Sequence, residues 1–317
     1  MSDPSQRPLV LDVDGTMIRS DLTHELLFEG FRTAKPWHWP RLLRLALTDR
    51  PALKAEFVAR IGDGMAPELH PLEPLAVGLA ETAKVEGREV YLCSGSEQSL
   101  VERLAAVLPY VDGAFGTVPG YNMTAQNKAD FLTERFPDGF DYVGNSSQDY
   151  EPWEAAHTAF AIRPPEDAKF RTSASGERIN ILEHRYRQLI PSPPQTTKRK
   201  SSYWVGLALA VFLGSAIYLA SSGTMRLTGL LAAPPIIGLL SYAVSLWTTA
   251  TRTGRDRRDP QRSNPISKGD LSVTTALRWS IVTIVASFML AAFFGETEAI
   301  AAWAICLALL AVWHRQS

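Results

Sequence analysis

Short apolar runs alternate with amphipathic segments along the first 170 residues, and this alternation restricts the fold more than any other feature of the chain. Runs typical of buried strands cover residues 9–13, 89–93, 114–117, 140–143 and 158–162. Apolar residues recur with the spacing of an α-helix over residues 72–84, 98–108, 128–136 and 152–157. Such an order predicts an α/β fold, in which helices wrap a parallel sheet.

Polar motifs follow three of the predicted strands. DVDGT ends the first strand, SGS follows the second, and GNSSQD follows a later one. Ligands of open parallel sheets bind at the carboxyl ends of the strands. We therefore expect these motifs to meet in one site, with the mostly helical stretch from residue 21 to about 70 placed to cover it as a lid.

Asp12 and Asp14 are suited to phosphoryl transfer. An aspartate can attack phosphorus and form an aspartyl-phosphate. A second carboxylate can protonate the leaving oxygen and then accept a proton from water. A turn at Gly15 would aim both acids at one substrate. Because the phosphate and both acids are negative, the site needs cations, and Mg²⁺ prefers oxygen ligands.

Residues further along the chain supply the other groups that this chemistry needs. Asp149 is predicted to bind Mg²⁺ together with Asp12, and Lys128 to neutralise charge on the transferred phosphoryl group. Thr16 can donate a hydrogen bond, while Ser94 and the backbone around Gly95 can hold phosphate oxygens. Taken singly, these residues have plainer interpretations: a calcium or turn motif for the acids, a solvated helix lysine and a helix N-cap serine.

The order of four motifs resembles the signature of the haloacid dehalogenase (HAD) superfamily of phosphatases. The motifs are DVDGT, LCSGS, the lysine of NKADFL, and YVGNSSQD, and the resemblance covers residues 8 to about 165. The resemblance implies a Rossmann-like sheet with an inserted helical cap. It implies that Asp12 is the nucleophile and that Asp14 is the general acid/base, with its backbone carbonyl bound to Mg²⁺. It also implies that Ser94 and Lys128 bind the phosphate and that Asp149 is a carboxylate ligand of the metal.

The chain departs from the family pattern at Asn145. The last motif usually begins with Gly-Asp, whereas this chain has Gly144-Asn145. An amide oxygen can coordinate Mg²⁺, directly or through a water molecule, but it brings no charge. We therefore expect Asn145 to contribute to the metal site with weaker affinity than an aspartate.

Uncharged segments distinguish the last third of the chain. They cover residues 203–220, 227–247, 279–294 and 299–313. The first two have the length of about 17–25 residues that a membrane-spanning helix needs, and the shorter pair is predicted to form a membrane hairpin, although a buried soluble hairpin has a similar pattern. We expect an all-α membrane domain of about four transmembrane helices over residues 202–317, after a phosphatase domain at 1–170 and a basic, proline-rich linker at 171–201.

Basic residues predict the orientation of this membrane domain. Seven of them lie between the second and third segments: Arg252, Arg255, Arg257, Arg258, Arg262, Lys268 and Arg278. By the positive-inside rule, this loop and both chain ends face the cytoplasm. The polar start MSDPSQRP has no apolar signal core. We expect a multi-pass protein of the inner membrane with its soluble domain in the cytoplasm, and a short basic helix over residues 178–189 on anionic lipid.

The loop DRRDPQRSNPISKGDLS, residues 256–272, resembles a loop of the UbiA family of membrane prenyltransferases. The matching residues are Asp256, Arg257, Pro260, Pro265, Ile266 and Gly269. The upstream acids of that family are replaced by Thr248, Thr249 and Arg252. The resemblance implies that the membrane domain is a truncated, degenerate relative of this family and anchors the phosphatase. Alternatively, the loop is only a cytoplasmic loop whose positive charges set the membrane topology.

Together these features predict a membrane-anchored, Mg²⁺-dependent phosphomonoesterase that acts through an aspartyl-phosphate. A phosphorylated small molecule or a lipid-linked sugar phosphate is the expected substrate, and membrane lipids are expected partners. A second copy of the chain or a partner transferase is a further candidate partner, and we expect no nucleic acid. The alternative is prenyl or phosphoribosyl transfer by the membrane domain, or an inactive scaffold for such a transferase. The two cysteines, Cys93 and Cys306, support neither a disulfide framework nor a cysteine metal site.

Overall fold

A computed structural model describes residues 7–182, 227–258, 264–293 and 303. The chain divides into two compact units. One consists of Met1–Pro191 and Gly254–Ser272, and the other of Ser192–Thr253 and Val273–Ser317.

A six-stranded parallel sheet forms the centre of the first unit, which confirms the predicted α/β fold. Its strands are β1 (Leu9–Leu11), β2 (Val90–Glu97), β3 (Gly113–Thr117), β4 (Asp141–Gly144), β5 (Thr158–Ile162) and β6 (Asn180–Leu182). They lie in the order β3-β2-β1-β4-β5-β6. The chain therefore leaves β1 toward one side of the sheet and later returns to build the other side, which makes the carboxyl end of β1 the expected ligand position.

Helices connect the strands and cover the sheet. In the first unit they are α1 (Leu22–Thr33), α2 (Trp39–Thr48), α3 (Arg50–Ile61), α4 (Pro74–Val85), α5 (Gln98–Ala105), α6 (Ala125–Arg135) and α7 (Tyr150–Ala155). The first three lie between β1 and β2, where the sequence predicts a helical cap.

Apolar side chains cover both faces of the sheet. Along β1, Leu9 and Leu11 point into a core that includes the cap helices, and Val10 points into a second core around Tyr142 and Trp153. All three β1 side chains are buried. This burial on both faces is typical of a central strand in a parallel sheet, and it explains why the sequence of β1 is a continuous apolar run.

The sheet extends beyond the predicted boundary at residue 170. Strand β6 lies inside the stretch predicted as a linker, and it pairs with β5 through Phe160↔Asn180 and Ile162↔Leu182. The predicted basic helix over residues 178–189 is therefore replaced by a strand at Asn180–Leu182, and residues 183–189 lie outside the described residues. Strand β6 pairs along the edge of β5. Basic and proline-rich residues follow it in the sequence, and for this reason the whole stretch resembles a linker.

Two long helices are described downstream, α8 (Leu227–Arg258) and α9 (Val273–Phe293). The second unit contains α9 and the part of α8 that ends at Thr253. They overlap the predicted segments 227–247 and 279–294, and the hydroxyl of Ser280 on α9 donates to the carbonyl of Ala243 on α8 at 2.9 Å. The predicted segment 203–220 and, apart from Trp303, the segment 299–313 lie outside the described residues. Within the part of the chain that is described, no helix is long and apolar enough to cross a membrane.

Gly30 lets the first cap helix approach the third. A Cβ placed on Gly30 would lie 2.3 Å from the Phe57 ring, whereas a Cβ on Gly78 in α4 would meet no atom within 4 Å. Glycine-to-alanine changes in open helix positions stabilise by about 1 kcal/mol, but overpacking a core costs about 1–3 kcal/mol.

We therefore predict opposite signs for the two changes. Gly30→Ala should lower the free energy of unfolding, measured by urea denaturation, and Gly78→Ala should raise it by about 1 kcal/mol. If Gly30→Ala stabilises as much as Gly78→Ala, the described contact between α1 and α3 is incorrect.

Candidate active site

A turn at the end of β1 carries the two predicted acids. Asp12 follows β1 directly, and its backbone N–H donates to the carbonyl of Val143 on the neighbouring strand at 2.9 Å. Gly15 has a φ of +78°, and a Cβ at this position would lie 2.2 Å from the amide nitrogen of Asn145. Only glycine satisfies both conditions. The first and last motifs are thus in direct contact, as expected from the sequence.

Lys128 joins Asp12 to Asp149 in a buried charge cluster. Its Nζ lies 2.7 Å from Oδ1 of Asp12, 3.4 Å from Oδ1 of Asp149 and 2.9 Å from the hydroxyl of Tyr142. Burial lowers the pKa of Lys128, but the two carboxylates more than offset this and raise it above its ordinary value. Burial raises the pKa of Asp12 to about 7, against the opposing effect of Lys128.

Asp149 directs both of its oxygens to protein donors. Oδ1 accepts from Tyr142 at 2.7 Å as well as from Lys128. Oδ2 accepts from the backbone N–H of Asn145 at 3.0 Å and from the N–H and hydroxyl of Ser146 at 2.9 and 3.1 Å. A carboxylate has about four lone-pair positions, so these bonds leave little capacity for a metal ion. The metal role predicted for Asp149 does not fit this arrangement, and the residue positions Lys128 instead.

Asp14 lies in a different environment, in which no cation of the described residues forms a hydrogen bond or ion pair with it. Its Oδ1 accepts the backbone N–H of Leu22 at 2.6 Å, and its Oδ2 accepts the hydroxyls of Ser96 at 2.7 Å and Ser94 at 3.2 Å. Partial burial, with Asp21 and Asp12 nearby, raises the pKa of Asp14 to about 8. A carboxyl group that keeps its proton near neutral pH is suited to act as a general acid.

Ser94 and Gly95 are held by protein groups around the end of β2. The Ser94 hydroxyl accepts the backbone N–H of Ser96 at 3.0 Å as well as donating to Asp14. The carbonyl of Gly95 accepts the hydroxyl of Thr117 at 2.7 Å. Thr16, the remaining predicted ligand, donates to Oδ2 of Asp12 at 3.3 Å. All of the predicted phosphatase residues therefore lie in one site.

Lys54, from cap helix α3, reaches the same site and was not predicted. Its Nζ donates to the carbonyl of Gly95 at 2.5 Å and to the side-chain oxygen of Asn122 at 3.1 Å. Burial lowers the pKa of Lys54, while the charges of Asp14 and Asp21 raise it. The lysine lies on a helix with exposed charged neighbours, so no pattern in the sequence distinguishes it from a solvated residue.

The oxygen donors around Asp12 fit a Mg²⁺ ion. The side-chain oxygen of Asn145 is buried and has no hydrogen-bond partner in the described protein. An unsatisfied buried acceptor of this kind is costly unless a donor or cation fills its place. No group of three or more His, Cys, Asp or Glu side chains is arranged to hold a metal among the described residues. Mg²⁺ does not need such a cage, because it binds through one or two carboxylates and keeps several water ligands.

The loop that resembles a transferase motif lies against the cap. Arg257 donates to both oxygens of Glu25, at 2.5 and 2.8 Å, and to Nε2 of His70 at 2.6 Å. Its side chain is only 4% exposed. Asp256 accepts from the side-chain amide of Asn264. Neither Asp256 nor Arg257 joins the cluster around Asp12, and their contacts explain why this loop groups with the first unit.

Comparisons with known proteins find similarity over part of the chain. No family model matches the chain. The uncharacterized protein y4nM of Sinorhizobium fredii (strain NBRC 101917 / NGR234) is 36% identical over 179 residues, which cover 55% of this chain and 33% of that protein. The chain thus matches about a third of the length of this curated relative.

Solved structures of hydrolases align with more than half of the chain. A substrate-bound phosphoserine phosphatase is 17% identical, with a TM-score of 0.40, over 58% of this chain and 97% of that one. A HAD family hydrolase from Salmonella enterica serovar Typhi is 20% identical, with a TM-score of 0.38, over 56% of this chain and 70% of that one. At these levels the similarity assigns no activity, and the function must be inferred from the side chains described above.

The Arg257–Glu25 pair generates a stability prediction. Removing one partner of a buried ion pair costs about 3–5 kcal/mol, so Arg257→Ala should lower the free energy of unfolding by that order at pH 7. Arg258→Ala is the matched control, because Arg258 is exposed and contacts only the carbonyls of Asp63 and Gly64 among the bonds described.

Lowering the pH should reduce the loss of unfolding free energy caused by Arg257→Ala. Burial alone would raise the pKa of Glu25, but His70 and Arg257 lower it from 4.5 to about 2. The stabilisation from this depressed pKa is fully present above pH 4.5 and is lost as the pH falls toward 2. Urea denaturation should therefore show a smaller difference between wild type and Arg257→Ala at pH 3 than at pH 7. A difference independent of pH would exclude Glu25 as the source of the effect.

Proposed function

We propose that the chain is a Mg²⁺-dependent phosphomonoesterase that forms an aspartyl-phosphate on Asp12. The observation that supports this most strongly is the contrast between the two acids at the end of β1. Lys128 binds Asp12, whereas Asp14 is surrounded by neutral hydrogen-bond donors. Two carboxyl groups with different environments can perform different tasks in one reaction.

The first step transfers the phosphoryl group to the protein. Oδ1 of Asp12 is held by Lys128 at 2.7 Å, whereas Oδ2 accepts only the longer, neutral hydrogen bond from Thr16 at 3.3 Å, so Oδ2 is the oxygen that attacks phosphorus. As the bond from phosphorus to Oδ2 forms, the ester bond to the leaving oxygen breaks, and Asp14 gives that oxygen its proton. The ammonium group of Lys128 stabilises the negative charge in the transition state.

The second step releases phosphate. Asp14, now a carboxylate, takes a proton from a water molecule that attacks the phosphorus of the aspartyl-phosphate. The acyl phosphate bond breaks and restores Asp12. Mg²⁺, when bound, would offset the repulsion between phosphate and carboxylate. Asp12, the backbone carbonyl of Asp14 and the side-chain oxygen of Asn145 are the groups of this chain that would hold it.

A phosphorylated small molecule is the substrate class that this site supports. Lys54 brings a cap cation to the edge of the site, where it can bind a negatively charged part of the substrate. The narrower predictions of a lipid-linked sugar phosphate, of anchoring by the C-terminal half and of a cytoplasmic-membrane location remain predictions from the sequence. The transferase alternative gains no support, because Arg257 is engaged by Glu25 and His70.

Asp12→Asn should abolish hydrolysis of a generic ester such as p-nitrophenyl phosphate, because an amide is not a nucleophile toward phosphorus. Asp14→Asn should slow turnover by about 10²–10⁴-fold, the usual contribution of an acid/base group. Asp130→Asn, an exposed change on α6, is the control and should retain full activity. Mg²⁺-dependent phosphate release by Asp12→Asn at the wild-type rate would exclude the proposed mechanism.

Asn145→Asp should strengthen Mg²⁺ binding, because a carboxylate adds negative charge to the donor set. We expect about a tenfold lower dissociation constant, or ~1.4 kcal/mol, in a calorimetric titration, which does not depend on turnover. Asn127→Asp, on the exposed face of α6, is the matched control and should leave the dissociation constant unchanged. Equal affinities in wild type and Asn145→Asp would show that residue 145 does not contact the metal.

A further inference from the structure

The outer side of the cap exposes a row of large apolar side chains. Trp39, Leu43 and Leu47 follow one another at intervals of four residues along α2, so they lie on one face of the helix. They are 47%, 51% and 88% exposed. Trp37, in the turn before α2, is 68% exposed. Leu42, by contrast, is buried in the core. Helix α2 therefore has one apolar side in the core and a second apolar side in contact with solvent.

The exposed tryptophans are held in place rather than loosely attached. The Trp39 ring contacts Phe31 edge to face, with 6.4 Å between ring centroids, and its Nε1–H donates to the carbonyl of Ala34 at 3.4 Å. The ammonium group of Lys35 lies 5.3 Å from the centre of the Trp37 ring. Exposed apolar residues that lie together in this way mark a binding surface more often than scattered ones do.

Positive charge surrounds this row. Lys35, Arg41 and Arg44 are exposed, and the sequence from residue 35 to 48 contains no acidic residue. Arg41 lies on the side of α2 opposite to the row, where it pairs with Glu56 of α3 at 3.1 Å, so it does not belong to this surface. We use the name outer cap face for the apolar row together with the nearby cations: Lys35, Trp37, Trp39, Leu43, Arg44 and Leu47.

We propose that the outer cap face binds the surface of an anionic lipid bilayer. Tryptophan and leucine side chains enter the boundary between headgroups and acyl chains, and Lys and Arg residues next to them attract acidic headgroups. The face offers both contributions on one short, rigid element.

The charge pattern disfavours a second copy of the chain as the occupant. A symmetric dimer would place this face against itself. Its cations would then face the same cations, with no acid between residues 35 and 48 to pair with them. An anionic surface has the complementary charge. The proposal concerns the cap alone, so it holds whether or not the phosphatase activity is confirmed and whether or not the C-terminal half enters a membrane.

A fluorescent label on the face itself tests the proposal in the full chain. Leu47→Cys, in a Cys306→Ser background, carries an environment-sensitive dye, and Cys93 is buried and does not compete for labelling. Val85→Cys is the matched control, because Val85 is an equally exposed apolar residue, at the end of α4. Comparing two positions of one chain separates contact by this face from membrane binding by another part of the protein.

We expect the dye at position 47 to shift to the blue on addition of phosphatidylglycerol vesicles, and the dye at position 85 to remain unchanged. The shift should disappear in phosphatidylcholine vesicles and weaken in high salt, because the attraction is electrostatic. Lys35→Gln with Arg44→Gln should raise the lipid concentration for half of the shift by about tenfold or more. Trp37→Ser with Leu43→Ser should also raise it, since both side chains are exposed and their loss leaves the core intact.

Three results would overturn the proposal. One is equal shifts at positions 47 and 85, and another is no shift at position 47 with either lipid. The third is a blue shift that depends on protein concentration without vesicles, which would identify a second copy of the chain as the occupant.

Discussion

The buried ion cluster of Lys128 with Asp12 and Asp149 is the interaction on which the rest of the site depends. Its members come from three places: the end of β1, helix α6 and the turn after β4. A carboxylate buried without a partner would keep its proton or destabilise the fold. Lys128 offsets the cost of a charge on Asp12 and fixes Oδ1, which leaves Oδ2 with only the longer hydrogen bond from Thr16. Tyr142 and the backbone N–H groups that hold Asp149 complete the support of this lysine.

The fold separates two acids that are only two residues apart in the chain. Asp12 continues the direction of β1 toward Lys128, whereas Asp14, beyond the start of the turn, points toward β2 and the first cap helix. The backbone N–H of Leu22 belongs to the start of that helix. Asp14, the proposed proton donor, is thus tied to the cap, and Asp12, the proposed nucleophile, to the sheet, although both belong to one short motif.

The sequence predicts the strands and the principal site residues because both follow from local patterns. Buried parallel strands are continuous apolar runs, and ligand-binding residues lie directly after them. Contacts between distant segments leave no such pattern, which is why Lys54 and the strand β6 were not predicted. The roles of Asn145 and Asp149 could not be separated by spacing alone, since the hydrogen bonds that occupy Asp149 depend on how the turn after β4 folds. The contact of Arg257 with Glu25 likewise joins residues 232 positions apart.

The contact between Gly15 and Asn145 means that these two positions cannot vary independently. The space for a Cβ at residue 15 is already filled by the amide of Asn145. The cost of a side chain at position 15 therefore depends on the residue at position 145, and substitutions at the two positions will not have additive effects on stability. A variant library that samples one position at a time would miss the combinations that this site tolerates.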